Sequence, residues 1–216
     1  MRAPVIGVRL LCYNGKNRNC RRVIISAMRP NSPLYTYRDF LAWPEGERVE
    51  IVNGIPYAVT PAPSRLHQKI LMELARQIGN FLKGYPRCEV YVAPFDVRLS
   101  EQMDVGDDQI DTVVQPDITI VCDKEKLDER GCFGAPTIVI EIISPSTATH
   151  DYIRKMALYE KHCVKEYWIV HPVDQIVMVF EHDGSIFGKP GIHDKEANVV
   201  SSVLPKLTVE LRELFV

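Results

Sequence analysis

Apolar residues recur along this chain at one of two spacings. Leu66, Ile70, Leu74, Ile78 and Phe81 stand three or four apart, the period of one helix face. They predict a helix that Ser64 caps and Gly84 closes. Thr36, with Asp39 three residues on, forms a capping box for a short helix through Phe40 and Leu41, ended at Pro44-Glu45-Gly46. The runs Arg48–Val52 and Ile55–Val59 are joined by Asn53-Gly54, residue types that tolerate positive φ in a tight hairpin turn. After the breaks at Pro61 and Pro63 and the long helix, strands are expected at Glu89–Val92, Phe95–Leu99, Asp117–Cys122 and Thr137–Ile143. The last is apolar nearly throughout, as a strand buried on both faces would be. A helix over Thr149–His162, strands at Glu166–Val170 and Ile176–Glu181, and an alternating tail at Leu207–Leu211 complete the pattern. Five acids (Glu101, Asp104, Asp107, Asp108, Asp111) mark an expected solvated, mobile loop. This order of elements predicts an α/β domain with a mixed sheet.

Length and composition narrow the class. With 216 residues, 46% hydrophobic and 25% charged, the chain is long enough for one domain and too apolar to be disordered throughout. No apolar run reaches the about 18 residues a membrane helix needs, so no membrane partner is expected. The formal charge of −2 hides an asymmetry. Residues 1–30 carry seven basic residues and no acid, which leaves nineteen bases against twenty-eight acids in 31–216. The reading is a basic N-terminal arm over 1–30, either floppy or an over-extended start before Met28, followed by one domain over 31–216. The six cysteines show no C-x-x-C pair, and Arg9 spoils a signal peptide; reduced thiols and a cytoplasmic location are expected.

The chemistry lies where charge interrupts an apolar strand. A carboxylate in a buried strand costs several kcal/mol or more unless something pairs it, more than an unpaired neutral polar group. Glu141 sits inside Thr137-Ile138-Val139-Ile140-Glu141-Ile142-Ile143, and Asp117 opens the strand after Gln115-Pro116. Each alone could be a cap or an ion-pair partner. Two carboxylates on neighbouring strands would suit a hard divalent cation.

Pro116-Asp117 followed by Glu141 resembles the PD-(D/E)XK nuclease signature. The likeness narrows with Glu141-Ile142-Ile143-Ser144-Pro145-Ser146-Thr147, then Asp151, Lys155 and Tyr159, then Val164-Lys165-Glu166-Tyr167-Trp168-Ile169-Val170. Thr36–Phe40, Glu50-Ile51-Val52-Asn53-Gly54, Pro61–His67 and Phe95-Asp96-Val97-Arg98-Leu99 fit as well. From about Tyr35 to Phe215 the chain resembles the Uma-two family of restriction-endonuclease-like proteins. The resemblance implies a restriction-endonuclease-like fold, a mixed β-sheet flanked by helices. It also implies Mg2+-dependent hydrolysis of DNA phosphodiesters, with Mn2+ as substitute. Catalysis would fall to Glu50, Asp117, Glu141 and Lys155, and the metal to Asp117, Glu141 and the Ile142 carbonyl. The superfamily's lysine two residues after the glutamate is replaced here by Ile143, and Lys155 in the next helix stands in for it. The bland reading of Lys155 is an exposed i,i+4 pair with Asp151. That of Glu50 is a cross-strand partner for Arg48 or Arg65.

His67 and Gln115 are expected to contact substrate, His67 alternatively being a packed or capping histidine. His162-Cys163 could suggest a thiol nucleophile, but adjacent helical residues point about 100° apart. DNA binding sits uneasily with an acidic body. A basic face of Arg65, Lys69, Arg76, Lys83, Arg98 and residues 154–165, or the arm, would have to supply the grip. A catalytically inactive relative that binds nucleic acid or a protein partner, with a homodimer allowed for, is the alternative. A metal hydrolase acting on another substrate is a third.

Overall fold

A computed structural model describes residues 34–44, 49–58, 63–102, 104–143 and 148–215, with side chains of the last segment from residue 153. The basic arm, Met28 and the 144–147 turn lie outside the described residues. Helices are α1 (Tyr37–Phe40), α2 (Arg65–Leu82), α3 (Ala148–Lys161) and α4 (Leu211–Leu214). Strands run β1 (Val49–Val52), β2 (Ile55–Ala58), β3 (Glu89–Val92), β4 (Val97–Arg98), β5 (Val113–Val114), β6 (Ile118–Val121), β7 (Leu127–Asp128), β8 (Gly131–Phe133), β9 (Ile138–Ile142), β10 (Glu166–His171), β11 (Ile176–Glu181), β12 (Gly191–Asp194), β13 (Asn198–Val200) and β14 (Thr208–Glu210).

Local signals account for several of these. Asn53 and Gly54 both take positive φ (49° and 76°) in the β1–β2 turn. The Thr36 N–H donates to the Asp39 carboxylate at 2.8 Å. The Ser64 hydroxyl accepts the His67 N–H at 3.1 Å, satisfying one of the helix's orphan donors. Along α2 the buried stripe is His67, Ile70, Leu74, Ile78 and Leu82, while Leu66 is exposed.

Two six-stranded sheets form, in the orders β12-β11-β10-β9-β6-β3 and β2-β1-β5-β4-β8-β7. In the first, β9 and β10 are parallel, as their α3 connection requires, and the other pairs are antiparallel. Strand alternation divides its side chains. Ile138, Ile140, Ile142 and Trp168 pack with α2 and the chain's C-terminal elements. Val139, Tyr167 and Ile169 pack with Leu158 and Tyr159 of α3 and with Val52, Val97 and Val114 of the second sheet. That second face carries Glu141, so one strand alternation places the carboxylate beneath α3 and beside β1.

Two expectations are corrected. Cys88 and Cys122 form a disulfide, so reduced thiols do not describe this pair; among the described cysteines only Cys132 and Cys163 are free. The β3–β6 register pairs Glu89 with Val121, and one step further sets Cys88 opposite Cys122. No sequence spacing announces that pairing. Replacing Cys88 by serine is expected to lower unfolding free energy by about 3 kcal/mol in urea, since the bond closes a long loop of the unfolded chain. Identical transitions for parent and variant would show that the bond contributes nothing. The acidic loop is also anchored rather than free. Asp107 pairs with Arg130 and its carbonyl accepts the Arg38 N–H, Ile110 is buried, and the Asp111 carbonyl accepts the Gly54 N–H.

Candidate active site

The β6–β9 ladder pairs Ile118 with Ile140 and Thr119 with Val139. Continued by one residue, it brings Asp117 across from Glu141. The strands open there, and the Ile142 N–H donates to Asp117 Oδ2 at 2.8 Å. From the start of α2, His67 Nε2 reaches the same oxygen at 3.2 Å. Its Nδ1 is buried without a partner among the described residues.

Lys155 enters from α3. Its Nζ lies 2.9 Å from Glu141 Oε1 and 3.0 Å from Glu50 Oε1, so one ammonium bridges two carboxylates from separate sheets. Its side chain is 14% exposed, as is that of Glu141. Tyr159, one turn on along the same helix face, donates its hydroxyl to Glu141 Oε1 at 2.9 Å. The main-chain N–H of Gln115 donates to Glu50 Oε1 at 2.9 Å.

Three acids face one lysine, and the proton affinities follow that imbalance. Burial pushes Glu141 up to about 7; Lys155 pulls the other way, but Asp117 and Glu50 add repulsion. Burial alone would lower Lys155, yet Glu141 and Glu50 hold its pKa well above the ordinary lysine value. Burial, then the same acids, raise the Tyr159 phenol, so it remains a donor. Burial also pulls His67 down, but the bond to Asp117, with Glu141 and the Ile142 backbone behind it, outweighs this and raises it.

The structure thus brings Glu50, Asp117, Glu141, Lys155, His67 and the Ile142 backbone into one network. Lys155 is a network member and no surface partner, and Glu50 is held by Lys155 and Gln115. Gln115 is placed otherwise than expected: its side-chain amide donates to Asp96 Oδ1 at 2.8 Å, and only its backbone N–H reaches Glu50. Tyr159 and Asp96 escaped the functional reading of the sequence, although both fall in segments that carry the family likeness. Among the described residues, no group of three or more His, Cys, Asp or Glu side chains is disposed to hold a metal. A cation here would rest on the two strand-end carboxylates, the Ile142 carbonyl and water. That hard oxygen set, in excess of negative charge, fits Mg2+, which keeps several waters.

The expected basic face is cancelled in part. Arg98 is buried and pairs with Asp128 at 2.7 Å, so it cannot grip a ligand at the surface. Arg76 pairs with Glu73 and Glu213, and Lys161 with Glu101. Of Lys69, Arg76 and Lys83, which fall seven apart along α2 and its C-cap, Arg76 is neutralised by Glu73 and Glu213. Among the described residues, no hydrogen bond or ion pair joins the His162 or Cys163 side chain to the site, and Cys163 is exposed. No described helix is long and apolar enough to cross a membrane.

Mixed sheets flanked by helices, with buried carboxylates and a lysine gathered at a strand end, make up a restriction-endonuclease-like fold. A crystal structure of "a putative nuclease belonging to DUF820" from Anabaena variabilis superimposes with a TM-score of 0.66 at 22% identity, covering 84% of this chain and 97% of that one. Residues 37–212 match the Uma2 family, described as "Putative restriction endonuclease". The chain belongs to this family. An uncharacterised protein of Synechocystis is 26% identical over 129 residues, 59% of this chain and 63% of that protein's length.

Proposed function

We propose that the chain is a divalent-metal-dependent endonuclease that hydrolyses DNA phosphodiester bonds. The observation that carries this reading is the Lys155 ammonium held between Glu50 and Glu141, beside Asp117. A purely structural core has no use for three clustered carboxylates, because each must be desolvated. Asp117, Glu141 and the Ile142 carbonyl would hold Mg2+, or Mn2+ in its place. The bound ion would supply charge neutralisation at the attacked phosphate and a more acidic water. His67 and the Ile142 N–H fix the Asp117 carboxylate, and Tyr159 fixes that of Glu141. Lys155 donates toward the phosphate oxygens, where negative charge builds as the bond to phosphorus forms. Glu50 holds that ammonium in position.

A second reading is a catalytically inactive relative of the same fold that binds nucleic acid or a protein; the ion pairs that neutralise Arg76, Arg98 and Lys161 weaken a grip on DNA and, within this reading, favour a protein partner. Incubating plasmid with the protein and Mg2+ or Mn2+ separates the two. Nicking is expected in the parent and a loss of at least about a hundredfold in Asp117→Ala, as for removal of a group that stabilises the transition state. DNA retention that weakens as salt rises, without cleavage at any metal concentration, would select the binding reading.

A further inference from the structure

Outside the carboxylate network, the most connected polar group near the site is Asp96, which precedes β4. Its two oxygens have separate donors. Tyr37 of α1 donates its hydroxyl to Oδ2 at 2.9 Å, and the Gln115 side-chain amide donates to Oδ1 at 2.8 Å. Gln115 in turn points its backbone N–H at Glu50 Oε1, the oxygen that also accepts from Lys155. A continuous path therefore runs from Tyr37 through Asp96 and Gln115 to Glu50, and so to the lysine.

Both ends of this path are held. Tyr37 is 1% exposed, and two guanidinium groups lie near its ring, Arg98 at 5.3 Å and Arg130 at 5.5 Å from the centroid. Burial first, then Asp96, pushes its phenol above the usual tyrosine range, so it stays a donor. The Asp96 carbonyl accepts the Cys132 N–H at 2.8 Å. Gly131 makes that approach possible: its φ is +126°, and a Cβ there would stand 2.2 Å from the Asp96 carbonyl oxygen.

We propose that Asp96 is a positioning residue: by clamping the Gln115 side chain it aims the Gln115 N–H at Glu50, and so fixes where Glu50 and Lys155 stand. The inference rests on the hydrolytic reading for its kinetic consequence, but not for its structural one. Asp96 touches neither Lys155 nor the strand-end acids in this arrangement, and acts through Gln115. Misplacing a reacting group by about 1 Å costs roughly a hundredfold in rate.

The test compares Asp96→Ala with Asp96→Asn. Alanine removes both acceptors. Asparagine keeps one for Tyr37, and the Gln115 amide can turn to accept from its NH2 group, which restores the clamp without the charge. Asp96→Ala is expected to lower kcat by roughly 10- to 100-fold at nearly unchanged KM, and Asp96→Asn to recover most of it. Amide exchange provides a readout independent of turnover. The Gln115 N–H should exchange faster in Asp96→Ala, while that of Ile142, which donates to Asp117, should not change. Should the alanine variant fail to fold, Tyr37→Phe deletes a single oxygen and should speed Gln115 exchange by roughly three- to tenfold. Equal kinetic losses in the alanine and asparagine variants would overturn the proposal, as would unchanged Gln115 exchange. If the parent cuts nothing, the hydrolytic reading fails by itself, and Gln115 exchange still decides the role of Asp96.

Discussion

Lys155→Met is expected to abolish phosphodiester cleavage, with a loss on the order of a thousandfold, the scale of removing one well-placed donor to a developing charge. The same change should reshape stability against pH in EDTA. In the parent, the Glu141 pKa stands at about 7 in the folded protein against an ordinary 4.5. Between those values the folded chain keeps a proton that the unfolded chain has released. Stability from this group is therefore fully present below pH 4.5, falls as pH rises through the window, and levels off above about 7. Removing the ammonium takes away the cation that most opposes the rise, so the falling limb should extend to higher pH. The raised Lys155 pKa has its own consequence: it contributes stability below the ordinary lysine value of 10.5 that is lost only in stronger alkali, and the variant lacks it. At pH 8 the variant should be less stable by roughly 3–5 kcal/mol, the cost of breaking a buried pair from one side. Urea transitions from pH 5 to pH 9 measure this. Parallel curves for the two proteins, or cleavage within tenfold of the parent, would dismiss the lysine's role.

Glu166→Gln should be among the most destabilising single changes away from the site. Glu166 is fully buried at the start of β10. Its carboxylate accepts from Trp168 Nε1 at 2.9 Å, from the Ser201 and Ser202 hydroxyls, and from the Ser202 and Val203 N–H groups at 2.6 and 3.0 Å. These bonds pin the 201–203 segment to the central sheet. Glutamine keeps the volume but turns one acceptor into a donor, which must then face Trp168 or the serine cluster. Buried donors left without acceptors cost about 1–3 kcal/mol each, so a loss of about 4 kcal/mol in urea unfolding is expected. Cleavage by the remaining folded protein should be unaffected, because Glu166 lies at the opposite end of the parallel β9–β10 pair, across from Ile138. A change below 1 kcal/mol, the scale of about one ordinary hydrogen bond, would mean that water replaces these contacts readily.

One anomaly marks the site in the sequence itself: Glu141 interrupts an apolar strand. Asp117 was visible as the charge opening a second strand. Lys155 was visible through the family likeness, since the pattern Glu141…Lys155…Tyr159 preserves the spacing of a strand end and the helix that returns over it. Glu50 came from the same likeness. Other features were illegible for a shared reason. The short strands β5, β7 and β8 have two or three residues each, too few to show a period. The acidic 101–111 segment read as mobile because charge density marks solvation, yet its backbone carbonyls and Arg130 tie it down. Arg98 read as a surface cation because composition records charge and not burial.

What the sequence determined by itself is what repeats or turns locally. The α2 stripe, the Asn53-Gly54 hairpin, the Ser64 cap and the buried character of β9 each depend on neighbours within a few residues, and local sterics and periodicity suffice to specify them. The tertiary structure alone decided which distant groups meet. Strand register set Cys88 against Cys122 and Asp117 opposite Glu141. The packing of α3 between the two sheets put one ammonium between two carboxylates. Packing also withdrew Arg98 from the expected basic face and linked Tyr37 to Glu50 through Asp96. Register and packing depend on the whole set of core contacts at once, so no short window of residues encodes them.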